Sequence, residues 1–119
     1  MITFEKVTVE NESVVKEMFK SHSLGEKKVQ YCVKVDDTYI GVIDYSVQEE
    51  RAVLSQLIIH FDYQGYGYGT NTYFTFEEMM KQRNVKEIKV LQEKLTEKAK
   101  SFIESFGFTS EDEEYAKKI

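Results

Sequence analysis

The run Tyr63-Gln64-Gly65-Tyr66-Gly67-Tyr68-Gly69-Thr70 carries the residue types and spacing best suited to chemistry. An apolar stretch, Leu54-Ser55-Gln56-Leu57-Ile58-Ile59, leads into it, and a helical pattern follows. A strand feeding a glycine-rich turn and then a helix start is a place to hold phosphate. Glycines let the backbone curl close to an anion, and the unpaired N–H groups of the first helical turn point at it. The run therefore suggests a phosphate-bearing ligand, and its spacing narrows which one.

A P-loop needs a lysine after its last glycine to reach the terminal phosphates; Thr70 follows Gly69 instead. A dinucleotide fingerprint needs glycines spaced G-x-G-x-x-G inside a strand–helix–strand unit. Here they fall at 65, 67 and 69, so the third comes one residue early. Glu87 lies where a ribose-binding acid would, yet an acid on a charged strand is common. The plainer alternative is a turn whose glycines only satisfy tight geometry. Other reactive types form no constellation. His22, His60 and Cys32 lack metal-ligand spacing, so no metal is expected, and no Ser-His-Asp order stands out. Cys32 lies in an apolar stretch and reads as a small buried hydrophobe. Tyr66 and Tyr68 read as packing around the turn.

Composition sets the frame for these residues. The 119 residues imply one domain, 1–119, able to bury a core without disulfides or metals. A net charge of −5 argues against a general nucleic-acid binder and is compatible with a cationic partner such as an amine. No apolar run reaches membrane-spanning length, and the start Met1-Ile2-Thr3-Phe4-Glu5 lacks a signal-peptide layout. With a single cysteine, this reads as a cytoplasmic protein with no membrane partner.

The elements that must position the turn follow from periodicity. Ile2 to Val9 reads as a strand. Asn11 is a candidate N-cap for a helix carrying Val14, Val15, Met18 and Phe19, and Ser21 to Lys28 is a loop. Val29–Val35 and Tyr39–Val47 form a hairpin about Asp36-Asp37-Thr38, and Arg51–Ile59 is the next strand. Thr70–Gln82 is a helix with Tyr73, Phe74 and Met79 on its apolar face. Val85–Leu91 is a strand, and Thr96–Phe106 a helix facing Ala99, Phe102, Ile103 and Phe106 inward, with Gly107 as its C-terminal cap. The tail has room for one short strand around Tyr115. The fold class is α/β: a mixed, mostly antiparallel sheet flanked by helices, with a parallel crossover from the third hairpin-group strand to the next.

Gln64-Gly65-Tyr66-Gly67-Tyr68-Gly69 also fits Q/R-x-x-G-x-G/A, and on it the chain resembles the GNAT superfamily of acetyl-CoA-dependent N-acetyltransferases. The flanks agree: Leu54 to Tyr63 resembles the family's fourth strand and its lead-in. Ala99 to Phe108 resembles its second coenzyme-contact helix, which ends in a Gly-Phe pair. The resemblance implies acetyl-CoA as co-substrate, with the pyrophosphate on the backbone N–H groups of Gln64, Gly65, Tyr66, Gly67, Tyr68, Gly69 and Thr70. It implies pantetheine pairing with the Ile58-Ile59 backbone, one N–H of which polarises the thioester carbonyl, and further coenzyme contacts from Leu57, Thr96, Ala99 and Phe102. An amine would attack directly once deprotonated, so catalysis would rest on positioning and proton management.

Several family positions are replaced. The tyrosine that many members place five residues before the Gly-Phe phenylalanine is Ile103, which cannot protonate a thiolate. The frequent asparagine at the helix start is Thr96, and the proline ending the fourth strand is Phe61. Substitute candidates are Tyr115 as acid, and Gln56 and His60 on one face of the fourth strand. Gln56 could only orient a water, and His60 reads as a solvated strand-end residue. The chain is short for the family, with one helix where two are usual and a tail for one strand where two are usual. An open acceptor site would suit an amine-bearing small molecule or a protein or peptide amine. Three readings follow: an N-acetyltransferase, a non-catalytic acyl-CoA-binding module, and a homodimer whose partner edge supplies the missing strand.

Overall fold

In a computed structural model, residues 1–20, 29–91 and 95–119 are described. Among these residues, seven strands and three α-helices follow in the order β1 (Ile2–Lys6), α1 (Glu12–Met18), β2 (Tyr31–Val35), β3 (Thr38–Gln48), β4 (Arg51–Ile59), α2 (Tyr68–Gln82), β5 (Glu87–Leu91), α3 (Glu97–Glu104), β6 (Thr109–Glu111) and β7 (Glu114–Lys118). The strands form one sheet in the order β1-β2-β3-β4-β5-β7-β6. The chain divides into two units. The first comprises Met1–Asp44 and Gln56–Phe76, the second Tyr45–Ser55 and Glu77–Ile119.

In the first unit β1 pairs antiparallel with β2, Phe4 opposite Val33, and β2 pairs antiparallel with β3 across an irregularity at Val33/Lys34. Asp36 turns the β2–β3 hairpin at φ 53°, a left-handed conformation that Asp tolerates better than most residues. Val15 and Phe19 of the α1 segment pack with Cys32 and Val42 of the sheet, and Ile58 and Tyr39 join them. Alternation along β4 therefore turns Gln56, Ile58 and His60 toward α1. The α1 start departs from expectation. Asn11 holds the N-cap position but makes no side-chain cap. Its Oδ1 accepts instead from the Thr8 N–H at 2.7 Å, which closes the preceding turn. β1 accordingly ends at Lys6 rather than Val9. The expected loop Ser21–Lys28 lies outside the described residues.

In the second unit β4 and β5 are parallel, with Arg51–Val53 opposite Glu87–Lys89, as the crossover predicts. The tail differs from the sequence reading. It forms two strands, because Asp112 takes φ 55° and folds β6 back onto β7 in a tight hairpin, Ser110 opposite Tyr115. β7 then pairs antiparallel with β5, Val90 opposite Tyr115. Gly107 caps the α3 segment at φ 96°, as expected, and its N–H donates to the Glu104 carbonyl. The α2 face is also rotated from the expected one. Tyr73, Phe76 and Met80 are buried with Thr72, whereas Phe74 is exposed and Met79 half-buried. The helix begins at Tyr68, two residues before the expected Thr70. Glu77 on its buried side is neutralised by Lys117 and, at 3.7 Å, by Lys81.

Candidate active site

The glycine run is a tight turn entering a helix. His60 caps a short 3-10 turn at Phe61–Tyr63, and Gln64 closes it. The Gln64 side chain reaches back, its Nε2 donating to the Ile59 carbonyl at 2.9 Å, which ties the turn to the end of β4. Gly65 and Gly67 then take φ 86° and 82°. A side chain at either would be strained, although a Cβ there meets nothing within 4 Å. The space in front of this backbone is therefore open. The bond from Asn71 N–H to the Gly67 carbonyl starts the α2 ladder, so the N–H groups of Tyr68, Gly69 and Thr70 precede it. No N–H of Gly65, Tyr66 or Gly67 donates to another backbone group among the described residues. A file of donors at the positive end of a helix dipole, with room before it, is what an anionic diphosphate requires.

Aromatic rings brace the turn. Tyr68 stands edge-on to Tyr63 at 6.5 Å, and Tyr66 lies 6.3 Å from Tyr68 with most of its surface exposed. His60 is not the solvated strand-end residue that the sequence suggested. Its side chain is only 18% exposed, its ring meets Phe19 edge-on at 5.5 Å, and its Nδ1 accepts from the Asp62 N–H at 3.1 Å. The imidazole is thereby built into the turn.

β4 leaves no room for a side chain at Gly41 of β3 before this turn. A Cβ at Gly41 would come within 2.6 Å of the Ile58 carbonyl oxygen and 3.0 Å of Ile59 Cδ1. The His60 N–H donates to the Ile40 carbonyl at 2.8 Å. Backbone polar groups alternate sides along a strand, so those of Ile58 and His60 face β3, while those of Leu57 and Ile59 face away from it.

Gln56 has a partner that the sequence reading missed. Its Nε2 donates to Asp44 Oδ2 at 3.0 Å, and Asp44 Oδ1 accepts from the Gln30 N–H at 2.7 Å. Asp44 is 5% exposed, and its burial raises the carboxyl pKa, opposed by the hydrogen bonds from Gln30, Tyr31 and Gln56. An aspartate in the middle of the apolar run Tyr39–Val47 was the available signal, since an unpaired charge is rarely buried.

The second unit holds the remaining candidates. Thr96 is the α3 N-cap, its Oγ1 accepting from the Ala99 N–H at 3.1 Å. Ala99 and Phe102 are half-buried, and Phe102 meets Phe106 edge-on at 4.6 Å. Ile103 is buried and has no proton to give. Tyr115 is buried too, and its hydroxyl donates to Glu104 Oε1 at 2.6 Å. That bond to a carboxylate, with burial and the Glu104 charge, raises its pKa. Tyr115 therefore holds its proton more firmly than a free phenol. A cavity of about 560 Å³ at the β3–β4 turn, lined by Ser46, Gln48, Arg51, Lys86, Glu87 and Lys118, contains none of the residues that the family resemblance assigns to coenzyme or catalysis. No helix among the described residues is long and apolar enough to cross a membrane.

A strand-to-helix glycine turn with these donors, on a mixed sheet with one parallel crossover, defines the class. The family model for the acetyltransferase (GNAT) family matches residues 3–108, and the chain belongs to that family. Solved structures share its fold at low identity. The PaiA N-acetyltransferase from Thermoplasma acidophilum, in complex with coenzyme A, is 16% identical over 100% of this chain and 99% of its own, with a TM-score of 0.72. The ribosomal-protein-S18-alanine N-acetyltransferase from Escherichia coli is 16% identical over 100% and 94%, with a TM-score of 0.77. Arabidopsis thaliana Naa50, in complex with the bisubstrate analogue CoA-Ac-MVNAL, is 18% identical over 99% of each chain, with a TM-score of 0.72. No curated protein sequence matches this chain.

Proposed function

We propose that residues 1–119 act as one N-acetyltransferase domain, which moves the acetyl group of acetyl-CoA to a primary amine by direct attack. The observation that carries this is the Gly65–Thr70 turn, with its unengaged N–H groups, two left-handed glycines and open space. Backbone donors of Gly65 to Thr70 bind the pyrophosphate, and the Gln64 side chain fixes that turn against Ile59. Leu57 and Ile59, whose backbone faces away from β3, pair with the pantetheine arm as an added strand would, and Ile58 packs beneath them. One of their N–H groups polarises the thioester carbonyl. The amine nitrogen forms the new C–N bond as the C–S bond breaks. The amine's proton leaves to solvent or a base, and the thiolate takes one up. The family resemblance also assigns Thr96, Ala99 and Phe102 of the α3 segment to the coenzyme.

The acceptor is an amine of a small molecule, peptide or protein, and it lies against the α1-facing side of β4, where Gln56 and His60 stand. Naa50 with its peptidyl bisubstrate analogue and the S18-alanine enzyme favour peptide amines as the first class to try. The reading includes a cytoplasmic setting, consistent with the single buried thiol of Cys32. It also allows a homodimer through an edge strand, β1 or β6. A second reading, a non-catalytic acyl-CoA-binding module, is favoured by buried Ile103 and by the commitment of the Tyr115 proton to Glu104. Calorimetry with coenzyme A, followed by thiol release from acetyl-CoA against amines and peptide N-termini, separates them. Binding with turnover supports the enzyme, binding without turnover on any amine supports the module, and failure to bind sinks both.

A further inference from the structure

We propose that the cavity at the β3–β4 turn is a second ligand site, for a small zwitterion. Its ligand carries a carboxylate and an ammonium on a short apolar body, the chemistry of a free α-amino acid. The site does not depend on the acetyl-transfer reading. All of its lining residues belong to the second unit, whereas the glycine turn belongs to the first.

Strand register builds the floor. Arg51 of β4 stands opposite Glu87 of β5, and Glu87 stands opposite Lys118 of β7. Opposite residues in paired strands project from one face, so these three form a row of charge across three neighbouring strands. Val53, two residues from Arg51 on β4, shares that face and is half-buried, which gives the floor an apolar part. The row holds two cations and one carboxylate, and the carboxylate is engaged: Arg51 Nε meets Glu87 Oε1 at 3.2 Å. Lys118 has no ion-pair partner among the described residues, and neither has Lys86, which lines the same cavity. An incoming carboxylate completes this half of the site.

The turn supplies the opposite charge. Glu49 and Glu50 also line the cavity, and neither carboxylate has an ion-pair partner among the described residues. Glu49 is held at φ 58° in a two-residue turn, where glycine, asparagine or aspartate is the usual choice, so its carboxylate stands there against local backbone preference. The Glu50 carbonyl accepts from the Lys86 N–H at 2.7 Å and from the Glu87 N–H at 3.3 Å. The acidic turn and the cationic row thus share one hydrogen-bonded frame. The volume of about 560 Å³ falls within the range of small-molecule pockets, roughly 300–1,000 Å³. Arg51, Lys86 and Lys118 balance Glu49, Glu50 and Glu87, so the lining carries no net charge. A simple anion or cation would match only one pole, and a zwitterion matches both.

The probe is L-valine, with isovalerate and isobutylamine as its two halves: the same branched body without the ammonium, or without the carboxylate. In amide NMR titrations of the whole chain, L-valine should give saturable shifts at Val53 and Glu87. It should bind roughly tenfold or more tighter than either half, because it makes charged hydrogen bonds at both ends. Lys118→Gln should weaken L-valine roughly tenfold or more, and so should Glu49→Gln/Glu50→Gln. These side chains are exposed, so thermal unfolding should show both variants folded. Gly67→Asp should bind L-valine as the wild type does, so loss of the coenzyme A reading would leave this site standing. No saturable shift with L-valine, isovalerate or isobutylamine binding as tightly as L-valine, or unchanged L-valine affinity in either variant overturns the proposal.

Discussion

Gly41→Ala tests whether the absence of a side chain at position 41 sets the position of the backbone that meets the substrate. The added Cβ would stand 2.6 Å from the Ile58 carbonyl oxygen and 3.0 Å from Ile59 Cδ1, whereas ordinary contact begins at 3.4 Å. The first clash is with backbone, so no rotamer relieves it, and β4 must retreat by most of an ångström. Overpacking of this kind costs about 1–3 kcal/mol. For a domain of this size each kcal/mol lowers Tm by about 4 °C. The retreat also carries Ile58 and Ile59, and a displacement approaching 1 Å at a positioning element can cost roughly a hundredfold in rate. Thermal unfolding reads the first effect, and kcat/KM for acetyl-CoA in a thiol-release assay reads the second. Ile59→Val deletes Cδ1 and so relieves only the side-chain contact. The Gly41→Ala/Ile59→Val double variant should therefore recover little. A Gly41→Ala protein with unchanged Tm and unchanged kcat/KM would refute the reasoning, and full recovery in the double variant would show that the backbone contact is not the cause.

Three further outcomes are expected. Gly67→Asp should abolish coenzyme A binding in calorimetry while the protein stays folded by circular dichroism, because it sets a carboxylate before the turn and strains a residue at φ 82°. Tyr115→Phe should lower the urea midpoint of unfolding, through loss of a hydrogen bond to a charged partner, and leave kcat nearly unchanged; a large fall in kcat with stability preserved would restore Tyr115 as the acid. Burial, with the Glu5 and Asp44 charges, pushes the Cys32 thiol up to about 11. Its folded pKa exceeds its unfolded one, so stability from this group is full below about pH 8.5 and is lost as pH rises toward 11. Native protein at pH 8 should accordingly react with a thiol reagent far more slowly than urea-unfolded protein, and equal rates would contradict the burial.

The glycine turn was legible because only glycine accepts the φ values at 65 and 67 without strain, and because a strand and a helix flank it in sequence. Strand β4 came through to the residue, bounded by Glu49-Glu50 and His60. Helix faces were less legible. Near Phe74 apolar residues crowd every side of α2, and only the sheet decides that Tyr73 and Phe76 go in. The second tail strand was missed because β6, Thr-Ser-Glu, is exposed throughout and carries no apolar alternation; its pairing is set by Asp112 and by β7. The Asp44–Gln56 pair joins residues twelve apart on neighbouring strands, a contact fixed by register, which local pattern does not contain. Likewise the His60 environment depends on Phe19, forty-one residues away, so its exposure could not be read from its neighbours.

The central claim is that the Gly65–Thr70 backbone receives the pyrophosphate of coenzyme A. Amide NMR during titration with coenzyme A tests it most directly. The account predicts that the largest amide shifts fall on Gly65 to Thr70 and that Gly67→Asp removes them. Saturable binding whose shifts leave these six amides unmoved would contradict it.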